Sequence, residues 1–313
     1  MINSFVLVKK LKSTSKELFF ANFKLWKIDS SFNNDLSKAQ RLFPKVWPLY
    51  EDYVYERAYD DNNGRERAPY DIEDTLLLMR LFKIGDLFFV SPCIEESNGD
   101  LAGQLPYPAM VYTHTTNRYN IEAKECGKFN LFASEILSLP NWFSEWFKIA
   151  RRFFLYGGGK EYNPRNNLVD RVVDYITVLE TILVPEEDFL GRRLRERAAA
   201  LLKVNDHHID VDDTKRLLRD FYRVRSAVVH GGDISRFKIA VLKRNVDFES
   251  IVRQVIVESL RVLPVGDGRK TFLKNLFDIG DQTRSERVFN NFCSIKSDTE
   301  KAKCHERISK RLL

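Results

Sequence analysis

The sequence predicts an α+β N-terminal half over residues 1–140, an all-α helical bundle over residues 141–280, and a basic C-terminal appendage over residues 281–313. Three observations predict this division. Short apolar and aromatic runs broken by Gly, Pro and Asp-Asn clusters fill the first half. Beyond residue 141 the strand signals fade, and apolar residues recur at helical spacing between Gly and Pro stops. The length, 313 residues, matches about two ordinary domains.

In the first half, Phe23–Ile28 is aromatic-rich and reads as a strand. Asp60–Gly64 reads as a turn. Asp71–Phe82 reads as a helix with Asp71 as its N-cap. Gly85-Asp86 breaks it, and Leu87–Val90 reads as a buried strand. Met110–Thr113 is its expected partner, across a connection holding Gly99, Gly103, Pro106 and Pro108. Five helices follow. Trp142–Leu155 stops at Gly157-Gly158-Gly159. Leu168–Leu183 carries apolar residues at 168, 172, 176, 179 and 183 and is closed by Pro185. Phe189–Leu202 is rich in Arg and Ala. Asp213–His230 is closed by Gly231-Gly232, and Phe248–Leu263 by Pro264 and Gly266. The last stretch, 281–313, holds eight Lys/Arg against five Asp/Glu.

Composition narrows the class. Apolar residues make up 44% and charged residues 30%, as in a folded globular chain. No run approaches the roughly 18 apolar residues of a membrane span. The start, Met1 to Lys10, places its basic pair after an apolar run, the reverse of a secretory signal, so a cytoplasmic location and no membrane partner are expected. Cys93, Cys126, Cys293 and Cys304 form no C-x-x-C pair, which argues against a disulfide framework or a structural zinc site. The net charge of +6 permits a nucleic-acid partner without arguing for one.

The segment Leu217 to Gly232 carries the functional signal. On a helical wheel Leu217, Phe221, Val224 and Val228 share one stripe, the expected core face. Tyr222, Ser226 and His230 lie on nearly the opposite face, flanked by Arg219 and Arg223. His230 is the last residue before a double glycine, where the chain can turn sharply. Arg225 falls at the margin of the core stripe, and a guanidinium there needs a carboxylate. Glu180, in an otherwise apolar stretch, is the candidate partner, and Arg197 could compete for it.

Arg225-Ser226-Ala227-Val228-Val229-His230-Gly231, preceded by Phe221-Tyr222, resembles the Arg-x4–6-His signature of the HEPN superfamily. Residues 142–276 are similar to its Apea-like branch, through Asp174–Leu183, Leu194–Leu202 and the Arg225–His230 helix, in that order. The resemblance implies a HEPN-type bundle that dimerises and brings two copies of the motif into one cleft. Many members are metal-independent endoribonucleases that cut RNA or tRNA in toxin–antitoxin or anti-phage systems. The resemblance therefore implies RNA as substrate, a homodimer, and an antitoxin or a phage-derived trigger as a further partner. Active members often carry Asn, Asp or His directly after the motif Arg; Ser226 stands there in this chain. Some relatives have lost catalysis and only bind, so the alternative is an inactive binding or dimerisation module with a ligand-sensing N-terminal half.

The chemistry fits these residue types. Metal-free RNA cleavage uses the ribose 2′-OH as nucleophile and needs an acid/base that titrates near neutrality, which histidine is. It also needs a fixed cation on the phosphate, which arginine supplies with a matching fork. His230 is thus the expected acid/base and Arg225 the phosphate stabiliser, with Ser226 orienting one of them. Tyr222 would hydrogen-bond or stack on a base, and Arg219 and Arg223 would hold the backbone. Glu180 and Arg197 are the expected supporting ion-pair residues. No metal and no cofactor is called for. His207-His208, near Asp210, Asp212 and Asp213, reads as a solvated loop, because adjacent histidines point apart. His114 reads as a strand or loop residue and His305 as part of the basic tail. Lys148, Arg151 and Arg152 read as a wet helix face. Gly157-Gly158-Gly159-Lys160 lacks P-loop spacing.

Overall fold

The computed structural model describes residues 2–28, 33–43, 52–60, 63–85, 87–96, 99–104, 118–159, 167–185, 190–205, 209–233 and 244–276. The chain divides into two compact units, Met1–Ser138 with Leu155–Arg171, and Leu139–Phe154 with Val172–Leu313. The stretch 281–313, Met110–Thr113, His114, His207, His208 and His305 lie outside the described residues.

The first unit contains β1 (Ile2–Lys9), β2 (Leu11–Lys12), β3 (Glu17–Phe19), β4 (Lys24–Lys27), α1 (Asn33–Leu42), β5 (Tyr53–Tyr59), α2 (Gly64–Phe82), β6 (Phe88–Glu96), β7 (Leu101–Gln104), β8 (Tyr119–Asn120) and α3 (Ala123–Leu137). An antiparallel sheet runs in the order β3-β4-β5-β1-β6-β7, and β2 pairs with β8 in a short parallel ribbon. Phe5, Val6, Leu7 and Val8 are all fully buried. A strand apolar on both faces must be covered on both. Phe5 and Leu7 join Trp26, Val54, Leu42 and Phe43 in one cluster with α1. Tyr59 and Ile94 meet Ala68 of α2 in another. Phe129 of α3 packs edge-on against Phe20, Phe23 and Phe82.

Three expectations change here. Asp71 caps no helix: α2 begins at Gly64 behind Asn63 and runs through Pro69. Proline brings no backbone N–H, so the helix continues there without that one bond. The Asp71 carboxylate pairs instead with Arg57 of β5 at 3.2 Å. The strand expected at Leu87–Val90 extends to Glu96, and its neighbours are β1 and β7, not Met110–Thr113. Gly103, read as part of a connection, stands in β7 opposite Ile94.

The second unit is helical. It takes the first part of α4 (Glu145–Gly159) and most of α5 (Asn167–Leu183), followed by α6 (Leu190–Asn205), α7 (Val211–Val229), α8 (Asn245–Val262) and α9 (Gly268–Leu276). Trp142 falls in a 3-10 turn, Pro140–Phe143, ahead of α4, and α4 runs through Gly157–Gly159 instead of stopping there. A chain of rings joins four helices: Phe154 to Tyr175 at 5.6 Å, Tyr175 to Phe248 at 6.0 Å, and Phe248 stacked on Phe221 at 3.9 Å. Ala198, Ala199 and Ala200 on α6 are buried and let neighbours approach closely. No helix among the described residues is long and apolar enough to cross a membrane.

Asn141 closes the end of α8. Its Nδ2 donates to the carbonyls of Leu260 (3.1 Å) and Leu263 (2.6 Å). These are among the carbonyls that a helix C-terminus leaves without intrahelical partners. Asn141→Ala is expected to cost about 1–3 kcal/mol, because buried acceptors lose their donor. The check is the midpoint of urea unfolding followed by circular dichroism.

Candidate functional site

The candidate site is built on α7. Its start is specified locally: the Asp210 side chain accepts from the Asp213 N–H at 2.9 Å, an N-cap bond, and Asp212 and Asp213 sit at the positive end of the helix dipole. Asp213 also takes two bonds from Arg244, 3.2 and 2.6 Å, which hold its carboxyl below the usual range. Leu217, Leu218, Phe221 and Val224 are buried, and the Phe221–Phe248 stack sets the roll of the helix. Val228, at the far end of that stripe, is only partly buried, so α7 leaves the core in its last turn.

The end of α7 is a Schellman turn. Gly231 adopts a φ of +69°, its N–H reaches the Val228 carbonyl at 3.3 Å, and the Gly232 N–H reaches the Ala227 carbonyl at 2.7 Å. The left-handed φ is why glycine stands at 231. His230 is the C-cap, its N–H bonded to the Ser226 carbonyl at 3.1 Å, and it is exposed.

Arg225 and Glu180 meet. Arg225 Nη2 lies 3.2 Å from Glu180 Oε2, with the two side chains 22% and 16% exposed. Burial pushes the Glu180 carboxyl above the ordinary carboxylate range; the Arg225 charge and a Tyr222 hydrogen bond pull it partly back. Burial, and then the Glu180 charge, pushes the Tyr222 phenol up. The Arg225 guanidinium stands 5.9 Å from the Tyr222 ring centroid. Arg197 gives Nη1 to the Leu183 carbonyl at 2.7 Å and is 2% exposed.

Gly191 of α6 was not legible in the sequence as part of this cluster. A Cβ there would fall 2.7 Å from Tyr222 Cε1, so the bare backbone is what lets the Tyr222 ring come this close to α6. Arg195, Glu196, Lys215 and Arg216, which line a groove between α6 and α7 together with Asp212 and Arg219, were also missed. The signal was their spacing: 191 and 195 on one helix, 212, 216 and 219 on the other, each one turn apart.

The remaining residues sit as follows. Arg219 and Arg223 are exposed and reach the same Asp220 oxygen at 3.5 and 3.8 Å. Ser226 is partly buried. Arg225 and His230 do not converge within one chain. Five residues of α-helix turn through about 140° and rise about 7.5 Å, which sends the buried guanidinium and the exposed imidazole to different sides of α7. Lys148 pairs with Glu145 at 2.5 Å, Arg151 stands over Trp142 and Arg152 over Phe153.

Comparison of the chain with protein-family models, curated proteins and solved structures finds no match.

Gly191→Ala should destabilise the protein by about 1–3 kcal/mol through overpacking, and in a Tyr222→Ala background the same change should cost far less. Arg225→Ala strands a shielded carboxylate and should cost about 1–3 kcal/mol, less than for a fully buried pair. A Glu180→Gln/Arg225→Gln double variant should cost less than Arg225→Ala alone. Because the folded state raises the Glu180 pKa, its contribution to stability is full below the unfolded carboxylate range and is lost as pH rises through the folded value. Glu180→Gln should therefore be stabilised relative to wild type as pH rises from about 4 to 7, measured by denaturant midpoints across that range.

Proposed function

We propose that this chain is a metal-independent endoribonuclease of the HEPN type, acting as a homodimer on RNA or tRNA in anti-phage defence or as a toxin. The observation that carries the reading is an exposed imidazole at the Schellman end of α7, one and a half turns beyond a guanidinium anchored by Glu180. The acid/base is open to a polymer, while the cation is held with few rotamers to lose. Because the two diverge within one chain, a second copy completes the cleft: His230 of one copy takes the 2′-OH proton as that oxygen attacks phosphorus. His230 of the other gives a proton to the departing 5′-oxygen. Arg225 stabilises the added charge on the pentacoordinate phosphate. The products are a 2′,3′-cyclic phosphate and a 5′-hydroxyl.

A second reading is favoured by two specific features. Ser226 follows the motif arginine, and Arg225 is already paired with Glu180. On that reading the helical unit binds RNA without cutting it, and the N-terminal unit senses a ligand.

The purified full chain, mixed with tRNA and total cellular RNA in excess EDTA, should leave ends bearing a cyclic phosphate. His230→Ala should lower the rate about 10²- to 10⁴-fold with unchanged circular dichroism. RNA that stays intact with wild type while still being bound would select the second reading.

A further inference from the structure

We infer that the groove between α6 and α7 is a phosphate-binding site that holds the RNA backbone away from the bond being cut, an inference that rests on the ribonuclease reading above. Two contacts place the helices antiparallel: Gly191 against Tyr222 at one level, and Lys215 Nζ bonded to Glu196 Oε2 at 2.5 Å at the next. Beside them lies an open groove of about 340 Å³ lined by Arg195, Glu196, Asp212, Lys215, Arg216 and Arg219. Four cations against two carboxylates leave +2.

The cations are not equally engaged. Lys215 is neutralised by Glu196. Arg216 reaches Asp213 only at 3.6 Å and Arg219 reaches its neighbour Asp220 at 3.5 Å, exposed pairs of the kind worth at most about 1 kcal/mol. Arg195 has no ionic partner among the described residues. Three guanidinium forks thus face one groove with little holding them elsewhere, and such forks match phosphate oxygens in bidentate geometry. The lining has no aromatic residue, so charge for phosphates dominates what it offers a strand.

Position supplies the rest. Arg216, Arg219, Arg223 and His230 fall within about 60° of arc on α7. Arg219 precedes His230 by eleven residues, about 16 Å along the axis. A phosphate in the groove is therefore not the scissile one but a neighbour on the same strand. The groove would set how the strand is registered against His230.

The test uses the full chain carrying His230→Ala, which binds without cutting, and a fluorescent single-stranded RNA of mixed sequence. Arg195→Ala and Arg216→Ala should each weaken binding about three- to tenfold at low salt. Each should also reduce the slope of log affinity against log salt by about one. Lys128→Ala, an exposed cation on α3, should change neither beyond the effect of net charge. A calorimetric arm titrates inorganic pyrophosphate into wild type and into an Arg195→Glu/Arg216→Glu variant, and only wild type should bind. Groove variants that match Lys128→Ala in affinity and salt slope would overturn the inference even if wild type cuts RNA. If wild type neither binds nor cuts RNA yet loses pyrophosphate in the groove variant, the phosphate site stands and the ribonuclease reading fails. If pyrophosphate and RNA both go unbound by wild type, both fail.

Discussion

The face-to-face stack of Phe221 on Phe248, 3.9 Å between centroids, determines what α7 can show to its surroundings. A helix has one rotational degree of freedom about its axis, and a large ring locked in a packed core removes it. With Phe221 inward, Leu217 and Val224 follow it into the core, and the Arg219, Arg223 and His230 face turns to solvent. The ring chain through Tyr175 to Phe154 extends the same constraint to α5 and α4. The position of Glu180 on α5 is thereby set relative to Arg225 on α7.

The Arg225–Glu180 pair is a compromise between two costs. A partly buried guanidinium without a partner loses hydration, and so does a partly buried carboxylate. Pairing them offsets both losses, yet the raised pKa of Glu180 shows that burial still outweighs its partners. Such a pair contributes little net stability but narrows the conformations of Arg225. On the proposed reading that narrowing is useful, since a cation already in place needs no reorganisation when charge develops on phosphate. The close packing of Tyr222 on Gly191 holds the same corner from the other side.

The N-terminal unit shows how local signals are overridden. Phe5 to Val8 form an unbroken apolar run with no alternation, which by periodicity alone does not separate strand from helix. It becomes the central strand because both faces find cover: α1 packs on one, and on the other Tyr59 and Ile94, neighbours of β1, meet α2. Asp71 looks like a helix start in sequence, but the helix begins about two turns earlier. The Arg57 charge on β5 gives Asp71 a different partner, and only the folded sheet brings those two together.

What the sequence determined by itself is what depends on neighbours along the chain. The 3.6-residue stripes of α5 and α7 are of this kind, as are the Gly231-Gly232 stop and the separation of a buried face from a polar one on α7. These are local because helical hydrogen bonds and side-chain periodicity span only three or four residues. The partnership of Arg225 with Glu180 was legible as a need, since a shielded charge requires its opposite, and the choice of Glu180 rested on its being the one carboxylate in an apolar run. Only the tertiary structure decided the order of the sheet, the place of β1 at its centre, the Gly191–Tyr222 contact, and the convergence of Arg195 with Arg216 and Arg219. These join residues distant in sequence, where the outcome depends on which surfaces pack together and not on any local preference.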